Sequence, residues 1–522
     1  MMSKFIKSRK TRYGSVAVVL SVLVLVAVII VNMIAAALAG RYEWMYVDMN
    51  ANLIYSISED CESYLSDHVF SVVDKTNEAL ESEGKQALKL EIIFCDEKEN
   101  VTGDANRKYI HNSVYEIGEL FPGYVTVDYL NIWEQPSIAR SYGVTSTSDV
   151  ICKFGDRFET LNLTDFFVFD SSDSTTPVGY NGEKMIASCL MRVTQEETPM
   201  CYMTANHGET FGDYEFMRAV VESGYTVGFV DLSVDEIPED CDLLVTFNPK
   251  QDLIVSDSVS STSEVDKINE FMGYGGKYMV FLSADTFASG AHENLEGLLA
   301  EWGIKYMHKE GDSGIEECYL IKDSANSLTI DGYTVLSENA AQGMGADIMS
   351  GMRDTNVFGN TTCIAFADGF VADGEGNYVS EASGAKRTAF PLMVSHSTAE
   401  AWANGRAVAR AAEEPFVLMS MSTQACENGE NAYLIASAST DFAGEALMQS
   451  SVLGNSRTVT KLLGYMGKDN APVDLVFKPF GSTEIESLTT STANLITVIL
   501  AAVPTLACLI AGVVVLVRRK NS

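Results

Sequence analysis

His207 and Glu209 stand two residues apart in the stretch Thr204-Ala205-Asn206-His207-Gly208-Glu209, and they are the groups of this chain best spaced to do chemistry. An imidazole and a carboxylate at that separation can exchange a proton or share a ligand, and histidine changes charge near neutral pH. A plainer reading is a turn, in which Gly208 sets the backbone and His207 caps the helix that follows. The functional expectation is contact of His207, Gly208 and Glu209 with a ligand or partner; no catalytic role is assigned to them. His68, His111, His292, His308 and His396 are isolated and form no visible ligand set.

No nucleophile is comparably placed. Amidotransferase-type chemistry needs a cysteine on a sharp, glycine-flanked elbow after a strand, together with a histidine. The run Gly275–Phe287, GGKYMVFLSADTF, reaches Ser283-Ala284-Asp285 without those glycines, so Ser283 reads as a polar strand end. The ten cysteines, at 61, 95, 152, 189, 201, 241, 318, 363, 426 and 508, are scattered with no Cys-x-x-Cys, which deprives zinc and dithiol sites of their usual spacing. The phosphate-cradling GxxxxGK[ST] loop is missing, so the chain is not itself an ATPase. No metal and no cofactor are expected.

The elements that would position these groups form two α/β units. In the first, Ser56 and Glu59 have capping-box spacing, which predicts a helix to about residue 83. A strand over 90–95, a helix over 105–120, a strand over 124–130, a short helix and two strands over 149–154 and 158–163 follow. In the second, strands over 200–204, 226–232, 242–247 and 277–283 alternate with helices over 211–223, 263–274 and 294–302. That alternation predicts a parallel sheet covered on both faces. Gly224 and Gly276 stand where helix-ending glycines belong. Loops beyond the carboxyl ends of such strands are where these sheets bind ligands, and His207 lies on one.

Eight of the 36 basic residues cluster at the two ends of the chain. Lys4, Lys7, Arg9, Lys10 and Arg12 precede an uncharged stretch, and Arg518, Arg519 and Lys520 follow another. Without those eight, 28 basic residues face 71 acidic ones, a net charge of −43. So acidic a body argues against nucleic-acid binding, which needs cations to displace counterions. The uncharged stretches are long enough to cross a bilayer, which takes roughly 20 residues. Basic flanks then predict a two-pass protein of the cell membrane, both termini cytoplasmic and residues 41–490 extracytoplasmic.

The expected organisation is a cytoplasmic tail (1–14), a transmembrane helix (15–39), a thioredoxin-like domain (45–170), and a linker and helix (171–198). Next come the first part of an amidotransferase-like, flavodoxin-like α/β domain (199–304), an insertion or small β-rich subdomain (305–415) and the completion of the α/β domain (416–470). A membrane-proximal segment (471–493), a second transmembrane helix (495–517) and a tail (518–522) close the chain.

The order of the first unit resembles a thioredoxin-like fold, and SYGVTSTSDVICKFGDRFETL (141–161) resembles the part of such proteins that forms the terminal hairpin. The Cys-x-x-Cys that dithiol exchange needs is replaced by a lone Cys95, so the unit reads as redox-inactive. NLIYSISEDCESYL (52–65), MIASCLMRVTQEETPMCYMTANHGE (185–209), ASTDF (438–442) and GNSRTVTKLLGYMG (454–467) follow in order. Together they resemble the GldG family, the auxiliary membrane component of an uncharacterised ABC-type transport system. The family usually has glycine where this chain has Asn206. The resemblance implies that the α/β unit is similar to glutamine-amidotransferase-like domains, and that the partners are an ABC permease and a cytoplasmic ATPase beside the lipid bilayer. A non-catalytic auxiliary subunit is therefore expected. A membrane-tethered hydrolase using His207 with Ser283 or Glu209, or a structural envelope protein without a transporter, are the alternatives.

Overall fold

The computed structural model describes residue 54 and residues 56–480, together with Val26 and Ile30. Positions 171–172, 196–197, 211–213, 257–262, 289, 311–315, 382–385, 404, 413, 451, 468–470 and 476 are outside that description. The first helical run is α1 (Glu59–Tyr64), a π-helical turn over Leu65–Phe70, and α2 (Ser71–Ser82). Its cap is Ser58, not Ser56: the Ser58 hydroxyl accepts the Cys61 N–H at 3.2 Å and donates to Glu183 at 2.7 Å. A distant carboxylate thus sets where this helix starts.

Strands β1 (Leu90–Phe94), β2 (Val125–Tyr129), β3 (Val150–Phe154) and β4 (Arg157–Leu161) form a sheet in the order β2-β1-β3-β4. β1 runs parallel to β2 and antiparallel to β3, and α3 (Arg107–Leu120) buries Ile110, Val114 and Ile117. The order of elements is the one read from the sequence. Within the stretch read as a linker, β5 (Phe167–Asp170) and β6 (Asp173–Tyr180) pair as a hairpin.

Helix α4 (Gly182–Thr194) is the helix expected after the linker, and all 13 of its residues are buried. A helix covered on every side must satisfy each polar group it carries. Glu183 accepts the Ser58 N–H at 2.9 Å and pairs with Lys478, whose ammonium also donates to the Ser56 carbonyl. Lys184 meets Glu222 at 2.7 Å, the Ser188 hydroxyl donates to the Glu222 carbonyl, and Arg192 forks onto Glu159 at 2.6 and 2.8 Å.

The second sheet is built on β7 (Met200–Thr204), β8 (Thr226–Val230), β9 (Cys241–Phe247), β10 (Lys277–Phe281), β11 (Thr334–Asn339), β12 (Val357–Gly359), β13 (Arg387–Ser395), β14 (Val417–Ala425) and β15 (Asn431–Ser437). Their order is β12-β11-β13-β14-β15-β10-β9-β7-β8. The five from β15 to β8 are parallel, and the remaining pairs are antiparallel. The parallel sheet expected from the sequence is therefore half of a mixed one, and strands from 305–415 extend it. Between β7 and β10, helices α5 (Tyr214–Glu222), α6 (Glu264–Gly273) and, after β10, α7 (Glu293–Glu301) cover the parallel half. Alternate residues of β9 and β10 enter opposite cores. Leu243, Val245, Met279 and Phe281 meet α5 and α8 (Asn455–Gly467), while Leu244, Tyr278 and Val280 meet α6 and α7. Burial on both faces explains the near-continuous apolar strands. The glycine ending α6 is Gly275, at φ +92°, rather than Gly276, and the two N–H groups return to Met272 and Phe271.

The two-pass arrangement is corrected by the helices themselves. Among the described residues no helix is long and apolar enough to cross a membrane. The longest single α-helix is the 14-residue α3, amphipathic and short of the roughly 20 residues a span takes, and the longer helical run over Glu59–Ser82 is too rich in charged residues to cross a bilayer. The segments 15–39 and 495–517 lie outside the described residues, apart from Val26 and Ile30. The expected topology, with residues 41–490 outside the cytoplasm, is set aside. The described chain falls in a unit over Met1–Lys478; a second unit, Pro479–Ser522, is described only at its first two residues.

Glu222 supports α4 most directly. Burial opposes its ionisation, yet Lys184 and Arg218 hold its carboxyl down at about 2. Glu222→Ala strands two buried cations, so the unfolding free energy should fall by about 3–5 kcal/mol in urea titrations at pH 7.

Candidate functional site

The parallel strands run β8-β7-β9-β10-β15, the second, first, third, fourth and fifth in chain order. The chain reverses direction across the sheet between β7 and β9, and the loops beyond the carboxyl ends of both are joined at this switch point, the place where sheets of this kind bind ligands. Each of these two strands is followed by an asparagine at positive φ, Asn206 at 82° and Asn248 at 50°. Asparagine is among the few side chains that adopt this backbone readily, and at 206 that is the conformation a glycine would also supply.

His207 leaves the end of β7 buried at 5% exposure. Its backbone carbonyl accepts the N–H groups of Lys250 at 2.7 Å and Gln251 at 3.0 Å, which ties the β7 loop to the β9 loop. The imidazole turns away from the next helix in sequence and meets the amino end of α6, where Nε2 is 3.0 Å from Glu264 Oε2. Nδ1 is 3.6 Å from Glu209 Oε1, too long for a hydrogen bond, so that contact is one of charge alone. The Glu209 and Glu264 carboxylates on either side raise the imidazole to about 10 against the opposing effect of burial. Burial opposes ionisation of Glu209 as well, and the imidazolium with the backbone N–H groups outweighs it and holds its carboxyl below the usual range.

Both acids are tied in turn. Glu209 Oε2 accepts the His207 N–H at 2.7 Å, and its Oε1 accepts the Thr204 hydroxyl at 3.1 Å. Thr204 shares a 3.0 Å hydrogen bond with Thr246, which accepts the Tyr278 hydroxyl at 2.8 Å. Glu264, wholly buried, accepts the Ile254 N–H at 2.7 Å. The exposed surface of the loop is Asn206, Gly208 and Thr210. Gly208, at φ +73°, lies where an added Cβ would meet Lys250 Cβ at 3.1 Å.

The structure thus joins His207 and Glu209 and adds Glu264, which sequence reasoning missed. An acid in the first turn of a helix reads from sequence as a dipole complement, and nothing local connects it to a histidine 57 positions earlier. Ser283 is buried with its hydroxyl unpartnered among the described residues, and its N–H donates to Thr286. The nearby His292 is engaged by the carbonyls of Gly290 and Pro249. Cys95 is buried and its thiol is pushed up to about 12, by burial first and Asp149 second, which leaves it a poor nucleophile. Among the described residues no group of three or more His, Cys, Asp or Glu side chains is arranged to hold a metal ion.

Residues 193–312, which span β7 to β10 with His207, Glu209, Glu264 and Ser283, match the model of a family described as an ABC-type uncharacterized transport system. The family model is one for auxiliary components of such systems, and it matches less than a quarter of this chain. No curated protein matches this chain closely enough to count as a relative. Among solved structures, the mmIFT52 N-terminal domain is similar over 51% of this chain and 96% of its own, at 12% identity and a TM-score of 0.34. The cytoplasmic protein STM3548 from Salmonella typhimurium is similar over 51% and 98%, at 10% identity and a TM-score of 0.29. PurLQS from Thermotoga maritima is similar over 53% and 95%, at 13% identity and a TM-score of 0.23.

The raised His207 gives a pH signature. A folded value of about 10 against an unfolded one of about 6.5 means its stabilisation is complete below pH 6.5 and is lost as pH rises through 10. Unfolding free energy should therefore decline between those pH values, and His207→Gln should flatten that decline while costing about 3–5 kcal/mol at pH 6.

Proposed function

We propose that this protein is a non-catalytic auxiliary component of an ABC-type transport system, and that the loop Asn206-His207-Gly208-Glu209 presents a surface for a ligand or partner at the sheet's switch point. The observation that carries the non-catalytic reading is the clamped imidazolium. A histidine protonated through neutral pH has no lone pair to act as a base or to bind a metal. His207 and Glu209 are the buried struts of the loop, and Asn206, Gly208 and Thr210 are what an approaching molecule meets.

The family match over residues 193–312 supports the transport assignment, since it covers the part of the chain that builds this switch point. The partners that follow are a permease and an ATPase; this chain has no phosphate-binding loop of its own. We read the four-stranded N-terminal unit as a thioredoxin-like scaffold without the dithiol, and the parallel half of the large sheet as amidotransferase-like without the nucleophile. The order of strands and helices supports both readings, and so does the burial of Cys95, its thiol pushed up, and of Ser283, its hydroxyl unpartnered among the described residues.

Affinity purification of the tagged full-length chain in mild detergent should recover a permease and an ATPase with it. Thr210→Trp, on the exposed surface of the switch-point loop, should reduce that recovery severalfold, while Ser283→Ala leaves transport unchanged. A protein that purifies alone contradicts the transport assignment, and loss of transport in Ser283→Ala contradicts the non-catalytic one.

A further inference from the structure

A cavity of about 280 Å³ lies between α4, α5, α8 and the segment that follows α8, away from the switch point. Lys184, Glu215 and Arg218 line one side, and Asp354 and Arg457 the other. Leu453, Leu475 and Phe477 supply an apolar part. It is slightly smaller than the roughly 300–1,000 Å³ of sites for drug-sized ligands, so its occupant is of metabolite size.

Two groups in its wall are under-used. Arg457 gives Nη1 to Asp354 and has Nη2 3.4 Å from Asp474, yet its Nε–H is buried with no hydrogen-bond partner among the described residues. Glu215 Oε1 is 3.6 Å from Arg218 Nη1 and 3.4 Å from Gln449 Nε2. Both contacts are longer than the about 2.7–2.9 Å of a good charge-assisted hydrogen bond. Arg218 itself is committed to Glu222 at 2.8 Å and to the Asp165 carbonyl at 3.1 Å, so it cannot move to satisfy Glu215. The cavity therefore offers a guanidinium whose Nη2 is only loosely held by the exposed Asp474 and an under-bonded carboxylate, with apolar surface beside them.

We propose that this cavity binds a small zwitterion with an apolar side chain, an α-amino acid, whose carboxylate meets Arg457 and whose ammonium meets Glu215. An acid alone would leave Glu215 under-bonded, and an amine alone would leave the Arg457 donor idle. A molecule carrying both ends satisfies both, and its side chain covers Leu453, Leu475 and Phe477. The inference does not rest on the transport assignment, because binding is measured on this protein alone.

The test is thermal unfolding and calorimetry of the full-length chain with L-leucine and L-phenylalanine, each at millimolar concentration. 4-Methylpentanoate and 3-methylbutylamine serve as the single-charge controls. At least one amino acid should raise the unfolding midpoint, as any ligand selective for the folded state does, and both controls should leave it unchanged. Arg457→Gln and Glu215→Gln should each weaken binding by about tenfold or more, the equivalent of one lost charge-assisted contact. Ser450→Trp fills the cavity without removing a charge and should abolish the shift. The proposal fails if neither amino acid moves the midpoint of the unaltered protein, if the single-charge controls match them, or if the shift survives Ser450→Trp.

Discussion

A helix buried on every side is the constraint around which this chain is arranged. Backbone hydrogen bonds satisfy α4 internally, but its side chains include an acid, two bases and two hydroxyls. Each would cost several kcal/mol if left unpaired in a dry interior. Thr194 donates to carbonyls of the helix itself, and each of the others has a partner drawn from elsewhere in sequence. Ser58 and Lys478 come to Glu183, Glu222 to Lys184 and Ser188, and Glu159 to Arg192. These partners lie in the first helix, the first sheet, α5 and the segment after α8. The helix therefore fixes the first sheet and the large sheet at the same time, and Glu183 holds residues near both ends of the described chain together.

The same logic, applied to fewer groups, shapes the switch-point loop. A histidine and two glutamates buried together carry one net negative charge when the imidazole is protonated and two when it is not. The backbone N–H groups of His207 and Ile254 and the hydroxyl of Thr204 offset the remaining charge. Holding the proton is thus the lower-energy arrangement, and it converts a residue that resembles a catalytic base into a clamp. The clamp draws β7, the loop after β9 and the start of α6 into one rigid corner, so the exposed Asn206, Gly208 and Thr210 are presented in a fixed geometry.

Much of the framework was legible in the sequence because period and punctuation are local signals. The strands over 200–204 and 277–281 and the helix closed by a glycine after 273 are where apolar runs and Gly275-Gly276 placed them, within a residue or two. What was not legible is what distant chain segments do to one another. Asp173–Tyr180 has the Ser, Asp, Thr and Gly of a linker, yet it pairs with Phe167–Asp170. Helix α4 has an amphipathic pattern, and only the two layers that close over its polar face explain why that face is buried. Several strands of 305–415 are only three residues long, and the longer β11 and β13 are joined to an existing sheet. At the site, His207 and Glu209 stood out because they are neighbours in sequence. Glu264 did not, although it makes the shorter contact with the imidazole.

The protonation state of His207 is the point on which the non-catalytic reading turns, and NMR of the imidazole nitrogens reports it directly. With ¹⁵N-labelled histidine and a His207→Gln control for assignment, both nitrogens of His207 should keep the shifts of an imidazolium from pH 6 to pH 8.5, because the clamp raises the group to about 10. An imidazole that loses its proton near its ordinary value of about 6.5 would contradict this account and return His207 to the set of available bases.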